Sequence, residues 1–174
     1  MNRPLLSVVV PTKDRAEYAY WCIRSLQAML SPVCEIVIQD NSRTDELRSR
    51  LAAEDGGLEK VRYAWAGGPL SITDNCDRAI DAAQGEYVTL IGDDDTIGPD
   101  LEAVVRWAAE HKIDAVVPAN LAHFYWPDLH GGDSSSAKGR MVLKPFSGRT
   151  QPRDVVAGRD AFLRDGGLSI VDST

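Results

Sequence analysis

The chain has 174 residues, of which 44% are hydrophobic and 26% are charged, and this length suits one ordinary globular domain. Its formal net charge is −7, from 26 acidic against 19 basic residues. A nucleic-acid or anionic-membrane surface is therefore disfavoured, because the summed field of the protein would repel it. These values favour a domain that binds a small ligand and no nucleic acid.

Neither a membrane-spanning segment nor a secretion signal is predicted. Apolar runs stay shorter than the roughly 18 residues that a spanning helix needs, and the apolar stretch at 5–10 is soon followed by charge. The three cysteines, Cys22, Cys34 and Cys76, are widely spaced and odd in number, which argues against a disulfide framework or a zinc site. We expect a cytoplasmic protein with buried thiols.

The first part of the chain alternates strand and helix patterns. The β-branched run at 5–10 predicts a strand that is buried on both faces, as in a parallel sheet, and residues 19–30 have apolar side chains at helical spacing. Strand patterns follow at 34–40 and 60–65, with a loop and a helix between them over 41–57.

The alternation continues with a helix that begins at Ser71, where Asp74 three residues later completes a capping-box pattern. Further elements are a strand over 86–92, a helix that opens at Pro99 and a strand over 114–120. Five residues share one face of the helix after Ser71 and are expected to be buried: Ile72, Cys76, Ala79, Ile80 and Ala83.

This order of elements predicts an α/β fold, with a doubly wound, mostly parallel sheet and helices on both faces. We expect residues 1–127 to form that α/β domain. Residues 128–174 begin with a Gly/Ser-rich stretch and predict a loop, a helix and the start of a further region. Ligands of doubly wound sheets bind beyond the carboxyl ends of the strands, and the polar clusters PTKDR, QDNS and GDDDT stand at three such ends.

Three consecutive aspartates, Asp93, Asp94 and Asp95, follow the predicted fourth strand. Like charges this close repel and raise one another's pKa unless a positive group lies between them. Carboxylates at a strand end suit Mg²⁺ or Mn²⁺, and such a cation is normally shared with substrate phosphates. Alternatively, the aspartates only solvate a loop and favour the start of the helix at Pro99, where the helix dipole attracts acids. The local sequence leaves both explanations open.

Three segments within residues 5–118 resemble the nucleotide-binding half of a family 2 glycosyltransferase with the GT-A fold. The segment LSVVVPTKDR is similar to that family's opening strand and its Pro-Thr-x-Asn-Arg turn. The segment EIVIQDNSRTDE is similar to its second strand and Asp-(Gly/Asn)-Ser-x-Asp turn. The segment GEYVTLIGDDDTIGPDLE is similar to its Gly-Glu-Tyr strand, Asp-x-Asp motif and following helix start. The resemblance implies a GT-A, Rossmann-like sheet.

The resemblance implies roles for the residues after the first two strands. Pro11, Thr12, Asp14 and Arg15 would border the base and ribose of a donor nucleotide, and Asp40 would hydrogen-bond the base. A carboxylate can accept the imide N–H of uracil or thymine, which gives this aspartate a specific chemical use. The alternative for Asp40 is a local Asx turn with the serine two residues later.

The resemblance also implies roles for residues nearer the acidic cluster. Asp74 and Asn75 belong to a TDN…GEYV pattern shared with O-antigen sugar transferases, and would contribute to donor-nucleotide binding. Asp93 would face the ribose. Asp94 would hold a divalent metal, Mn²⁺ or Mg²⁺, that bridges the two phosphates, and Asp95 would either join the metal site or begin the next helix.

Two positions depart from the family pattern. Gly92 stands where most members carry the first aspartate of the Asp-x-Asp motif, and Asp14 stands where most members carry asparagine. The first departure bears on which carboxylate meets the cation, and the second adds an acid near the donor site.

The implied reaction is metal-dependent transfer of a sugar from a nucleoside diphosphate sugar, a UDP-sugar first of all, to an acceptor hydroxyl. The acceptor would be a glycan, a lipid-linked saccharide or another hydroxyl compound, as in polysaccharide or O-antigen biosynthesis. The family's catalytic base lies well after the Asp-x-Asp region, so it stays unassigned among the late acids Asp160, Asp165 and Asp172. Completion of the acceptor site by a partner or a second copy, as in a homo-oligomer, is left open.

Some of these features are also compatible with other functions. The main alternative is a catalytically incomplete domain that only binds a nucleotide sugar. A receiver-like regulatory domain would use Asp40 as phospho-acceptor, but it needs an acidic pair after the first strand, where only Asp14 stands. A haloacid dehalogenase motif would need threonine at the position of Ile97. A sugar nucleotidyltransferase would need a Gly-rich first loop, and PTKDR has no glycine.

Overall fold

The computed structural model describes residues 3–117 and two short strands at His123–Tyr125 and Arg140–Val142. The chain forms two compact units, residues 1–102 and 103–174. A division after residue 127 stays a prediction.

The first unit alternates strands and helices from its start. In chain order its elements are β1 (Leu6–Thr12), α1 (Ala16–Met29), β2 (Cys34–Asp40), α2 (Glu46–Ala52), β3 (Val61–Trp65), α3 (Ile72–Asp81) and β4 (Tyr87–Leu90). Helix α4 (Leu101–Glu110) begins at the end of this unit, and an antiparallel pair, β5 (His123–Tyr125) and β6 (Arg140–Val142), belongs to the second.

The four strands of the first unit form one parallel sheet in the order β3-β2-β1-β4. The chain steps outward from β1 to β2 and β3, and then returns past β1 to β4. Because parallel crossovers are right-handed, this reversal puts α3 on the face opposite to α1 and α2. The predicted α/β fold, with helices on both faces of a parallel sheet, is confirmed. The topological switch point lies between β1 and β4, where open α/β sheets bind ligands.

Strands β1 and β2 form the centre of the core. All seven residues of β2 are buried, and β1 is buried at every position except Pro11. Such strands are covered on both faces, which explains why they read as continuous β-branched runs in the sequence. On one face, Val9 and Val37 pack against Ala79 of α3.

The buried face of α3 differs from the prediction. Ile72 is 84% exposed and Ile80 is 44% exposed, whereas Asn75 and Ala79 are the buried residues of the helix. The predicted cap is correct, since Ser71 Oγ accepts a hydrogen bond from the Asp74 amide at 3.0 Å. Ala79 is thus buried as predicted, and Cys76 and Ala83 are partly buried. The two isoleucines are exposed because a polar residue, Asn75, is the one that meets the strand ends.

A buried polar network ties β4 to the amino ends of β1 and β2. Ser7 Oγ donates to Glu35 Oε1 at 2.6 Å and accepts from the Gly85 amide at 2.8 Å. Glu35 Oε1 also accepts from the Gln84 amide at 2.6 Å, and Arg62 pairs with its second oxygen at 3.2 Å. The approach is close enough that a Cβ on Gly85 would lie 2.5 Å from Ser7 N. This contact accounts for the glycine that precedes β4.

The later sequence predictions have mixed outcomes. Residues 114–117 are not in a strand, contrary to the strand predicted over 114–120, and its last three residues lie outside the described part of the chain. The weak helix predicted over 152–167 and the strand-like end at 168–174 lie outside it as well. Among the residues that the structure describes, no helix has the length and apolar character needed to cross a membrane.

Candidate functional site

The carboxyl ends of β1 and β4 meet at the switch point through one buried hydrogen bond. Thr12 Oγ1 donates to Asp93 Oδ2 at 2.7 Å, and the two residues are only 3% and 5% exposed. The same end of β1 lies beside β2, where Thr12 is in register with Asp40. The sheet therefore brings the three polar clusters predicted from the sequence to one edge.

The guanidinium of Arg15 bridges two of the three consecutive aspartates. Its Nη1 lies 2.9 Å from Asp93 Oδ1, and its Nη2 donates to Asp94 Oδ2 at 2.8 Å. The guanidinium also lies 4.7 Å from the centre of the Tyr18 ring, a cation–π contact. In this conformation, the positive group between the carboxylates is a side chain of the loop after β1.

These contacts change the pKa values of the acidic pair in opposite directions. Burial raises the pKa of Asp93, although the Thr12 hydroxyl and the Arg15 charge act against this rise. The hydrogen bond from Arg15 lowers the pKa of Asp94, which is more exposed. The same bond, followed by the Asp93 and Asp94 charges, raises the pKa of Arg15. Arg15 therefore favours the ionised form of Asp94, which is the form that a metal ligand needs.

Asp14 has a structural role in the loop after β1. Its backbone is left-handed, with φ of 53°, a conformation that asparagine and aspartate tolerate better than most residues. Its amide donates to Ser42 Oγ at 2.7 Å, and its carboxylate accepts from the Arg43 amide at 3.0 Å. The Arg43 amide is the leading cause that lowers the pKa of Asp14. The departure from asparagine thus keeps the backbone geometry, and the extra charge is paired with Arg43.

Asp40 is completely buried, and both of its oxygens are engaged within the protein. Oδ1 accepts from the Ser42 amide at 2.8 Å, which is the Asx turn that the sequence left open, and Oδ2 accepts from the Tyr63 hydroxyl. Burial, and then the bond to Asp40, raise the pKa of Tyr63, so the hydroxyl remains a donor. A base contact by Asp40 stays a prediction, and it would have to share or replace the bond from the Ser42 amide or the Tyr63 hydroxyl.

Asn75 joins the carboxyl ends of β1 and β2 from the first turn of α3. Its Nδ2 donates to the carbonyl oxygens of Thr12 at 3.2 Å and Gln39 at 3.4 Å. Carbonyl oxygens only accept, so the amide nitrogen must face them and Oδ1 must face away. That oxygen is buried and has no hydrogen-bond partner among the described residues. An unsatisfied buried acceptor is costly, so a ligand that donates a hydrogen bond to this oxygen would be favoured.

Two cavities open at this edge of the sheet. The smaller one, about 210 Å³, is lined by Pro11, Thr12, Lys13, Arg15, Asn41, Ile72, Asn75, Cys76 and Asp93. The larger one, about 530 Å³, extends along the loops after β1 and β2 and is lined by Asp14, Arg15, Ala16, Glu17, Tyr18, Ser42, Arg43, Thr44, Glu46 and Leu47. Arg15 contributes to both linings.

Two of the carboxylates after β4 lie close to Gly92. A Cβ placed on Gly92 would lie 2.9 Å from both Asp94 Oδ1 and Asp95 Oδ2, so the two oxygens converge over this glycine. Within residues 3–117, three or more metal-binding side chains do not cluster. Mg²⁺ and Mn²⁺ need few protein ligands when substrate phosphates and water complete the shell. The departure at Gly92 therefore leaves room where the carboxylates converge.

The remaining predicted site residues have identifiable positions. Pro11 is half-buried in the wall of the smaller cavity. Asp74 is exposed at the first turn of α3, where its carboxylate accepts from the Ser71 hydroxyl at 2.7 Å. Asp95 Oδ2 accepts from the Gly92 amide at 3.2 Å, which closes the turn after β4. Their roles toward a donor nucleotide or a metal stay predictions.

Sequence reasoning placed Arg15 near a nucleotide but missed its contact with the acidic pair. The strand order would have revealed this contact, because β4 lies next to β1 only when the chain reverses at the switch point. It also missed Tyr63 as the partner of Asp40. Asp40 ends β2 and Tyr63 lies in the neighbouring β3, where Trp65 is in register with Asp40 and Tyr63 is two positions earlier on the same face.

The sequence is similar to that of known glycosyltransferases. Residues 7–162 match the family described as Glycosyl transferase family 2. A Campylobacter jejuni relative, GalNAc(5)-diNAcBac-PP-undecaprenol beta-1,3-glucosyltransferase, is 30% identical over 165 residues, which cover 92% of this chain and 48% of the relative. Glycosyltransferase GlyG of Streptococcus pneumoniae is 25% identical over 117 residues, covering 65% of this chain and 38% of that protein.

Solved structures give the same fold. S. aureus TarS superposes with a TM-score of 0.58 at 23% identity, covering 67% of this chain and 22% of the TarS chain. The TarS 1-349 structure has the same TM-score at 22% identity and is covered to 36%. At this identity the likeness supports the GT-A fold alone. The chain spans about half or less of the length of each of these relatives.

Proposed function

Because the chain belongs to glycosyl transferase family 2, we propose that it binds a nucleoside diphosphate sugar at the carboxyl edge of its sheet and transfers the sugar to an acceptor hydroxyl. Both homologous proteins carry glycosyltransferase names, which supports the reaction class. The proposed donor is first of all a UDP-sugar, bound with Mn²⁺ or Mg²⁺.

One observation carries the proposal. The hydrogen bond between Thr12 and Asp93 joins the ends of β1 and β4 at the switch point, and it places Asp94 beside that junction. Doubly wound sheets bind nucleotides at such a junction. Asn75 lines the adjoining cavity, and its buried Oδ1 lacks a hydrogen-bond partner among the described residues. This supports the proposal, since a ribose hydroxyl could supply the missing donor.

In this proposal, different residues bind different parts of the donor. Asp94, with Asp95 beside it, would hold the metal, which neutralises charge that builds up on the leaving diphosphate. Asp93 is fixed by Thr12 and would accept a ribose hydroxyl, because its buried carboxylate has further acceptor capacity. Pro11 and the loop that Asp14 shapes would border the base. The base that deprotonates the acceptor is left unassigned, and its candidates Asp160, Asp165 and Asp172 lie outside the described residues.

The acceptor is part of the proposal. The printed name of the C. jejuni relative describes a glucosyltransferase acting on an undecaprenol-linked saccharide. We extend this to a lipid-linked or other glycan acceptor, in polysaccharide or O-antigen synthesis at a cytoplasmic location. A second candidate is donor binding without turnover by these 174 residues, since the chain covers only 48% of that relative.

Isothermal titration calorimetry tests donor binding directly. UDP, GDP, dTDP and CDP are titrated with and without MnCl₂, and we expect one of them to bind only when the metal is present. Asp94→Ala should weaken that binding about tenfold or more, since even residues that merely support metal ligands change affinity by this factor. Asp81→Ala is the matched control, because Asp81 ends α3, whose other end lies at the site.

Two results would count against the proposal. The first is tight nucleotide binding that is independent of any divalent cation, and the second is equal loss of binding in both variants. Transfer of radiolabelled sugar to a lipid-linked oligosaccharide, measured for a nucleotide that binds, then distinguishes turnover from donor binding alone.

A further inference from the structure

We propose that Arg15 is an exchangeable counterion, which neutralises Asp93 and Asp94 in the donor-free protein and turns onto the donor diphosphate when a metal ion binds Asp94. The inference rests on the proposed function and adds a positioning role for one residue. It starts from the bridging contacts at 2.9 and 2.8 Å between the guanidinium and the two carboxylates.

The first step concerns charge. A divalent cation on Asp94 would lie within a few ångströms of the guanidinium that already holds Asp94 Oδ2. Two positive groups at that distance repel. We therefore expect a metal ion on Asp94 to weaken the contact between Asp94 and Arg15.

The second step concerns where Arg15 would go. A diphosphate brings several anionic oxygens to the metal, and a planar guanidinium can pair with two of them at once. Arg15 can follow them, because its side chain is 42% exposed. Its described contacts to side chains are limited to the acidic pair and the face of Tyr18. The ring lies 4.7 Å away and offers a surface along which the guanidinium can pivot.

The third step concerns space, and it is independent of the charges. The cavity that contains Thr12, Asn75 and Asp93 has a volume of about 210 Å³. This is below the roughly 300–1,000 Å³ of typical ligand sites, so it is small for a nucleoside diphosphate. The neighbouring cavity of about 530 Å³ is also lined by Arg15. Movement of this one side chain would change the walls of both cavities, which links metal binding to the shape of the site.

The exchange predicts opposite effects on two ligands in the same variant. In Arg15→Gln, Mn²⁺ alone should bind about tenfold more tightly, because no charge-assisted contact has to break first. UDP in the presence of saturating Mn²⁺ should bind several-fold more weakly, because the guanidinium no longer reaches the diphosphate. Arg15→Lys should show an intermediate gain for Mn²⁺, since an amine cannot bridge both carboxylates in the same way.

The experiment uses calorimetry with MnCl₂ alone, and with UDP or whichever nucleotide binds the unaltered protein. Arg78→Gln is the matched control, because Arg78 is an exposed arginine in the last turn of α3 and lines neither cavity. Both affinities should be unchanged in this control. Unchanged near-ultraviolet circular dichroism of each variant confirms that it is folded.

The outcomes separate the two proposals. If the unaltered protein binds Mn²⁺ but none of the nucleotides, the proposed function fails. If it binds a nucleotide with Mn²⁺, and Arg15→Gln binds Mn²⁺ no more tightly than the unaltered protein, the exchange is refuted. Weaker binding of both ligands in Arg15→Gln would also refute it, since that result indicates a residue that only supports the shape of the loop.

Discussion

Replacement of Gly85 by alanine tests whether close packing before β4 holds the sheet together. The added Cβ would lie 2.5 Å from Ser7 N, 2.7 Å from Ser7 Oγ and 2.7 Å from Tyr87 O, all below the 3.0 Å that real Cβ contacts respect. Two of the three atoms are backbone atoms of β1 and β4, which are paired at this point. The strands themselves would therefore have to move apart.

The expected cost has two parts. Forcing a methyl group into a packed site costs about 1–3 kcal/mol, and loss of the buried bond from the Gly85 amide to Ser7 Oγ leaves polar groups unsatisfied at about 1–3 kcal/mol. Partial relaxation makes these overlap, so we expect Gly85→Ala to lower the free energy of unfolding by about 3 kcal/mol. Urea denaturation followed by circular dichroism measures this difference.

Gly98→Ala is the control for the loss of a glycine. A Cβ on Gly98 meets no atom within 4 Å, so we expect a change within about 0.5 kcal/mol, or a small gain from the stiffer unfolded chain. The packing argument is refuted if Gly85→Ala is as stable as the unaltered protein, or if the two variants lose the same free energy.

Two further predictions concern the other described parts of the site. Tyr63→Phe removes the hydroxyl that donates to the buried Asp40, and should cost about 1.5–3 kcal/mol in urea denaturation, whereas Tyr18→Phe should be neutral; equal stability of the two variants would contradict this. Cys76 is half-buried in the smaller cavity, while Cys22 and Cys34 are buried, so iodoacetamide should modify Cys76 first. Peptide mass spectrometry should show that a bound nucleotide with Mn²⁺ slows this modification several-fold, and earlier modification of Cys22 would contradict it.

The sequence predicted the fold well because its central strands are unusually simple. Strands β1 and β2 are covered on both faces, so their β-branched runs could not belong to a half-exposed strand. The capping box at Ser71 depends only on neighbours along the chain, and it was also predicted correctly. Local chemistry of this kind survives folding unchanged.

Predictions failed where contacts between distant parts of the chain determine which side chains are buried and what they bind. The face of α3 was assigned from hydrophobicity, yet Ile72 is exposed and Asn75 is buried, because its amide satisfies two carbonyl oxygens at the strand ends. The need to pair these oxygens is created by the sheet and cannot be seen in the helix sequence. Asp14 shows the same limit, since only its left-handed backbone and its bond to Arg43 explain its place in the loop.

The acidic cluster after β4 illustrates how one structural fact can change the meaning of a motif. In sequence, three adjacent carboxylates left two explanations open, an external cation or a solvated loop before a helix. In the folded protein, Arg15 already supplies a positive charge to Asp93 and Asp94, so a metal ion must compete with it. This competition favours a metal–diphosphate pair over the metal alone. A free cation displaces Arg15 without offering it a new partner, whereas a metal bound to a diphosphate gives Asp94 a cation and gives Arg15 anionic phosphate oxygens. We therefore expect the site to bind the metal and the diphosphate cooperatively.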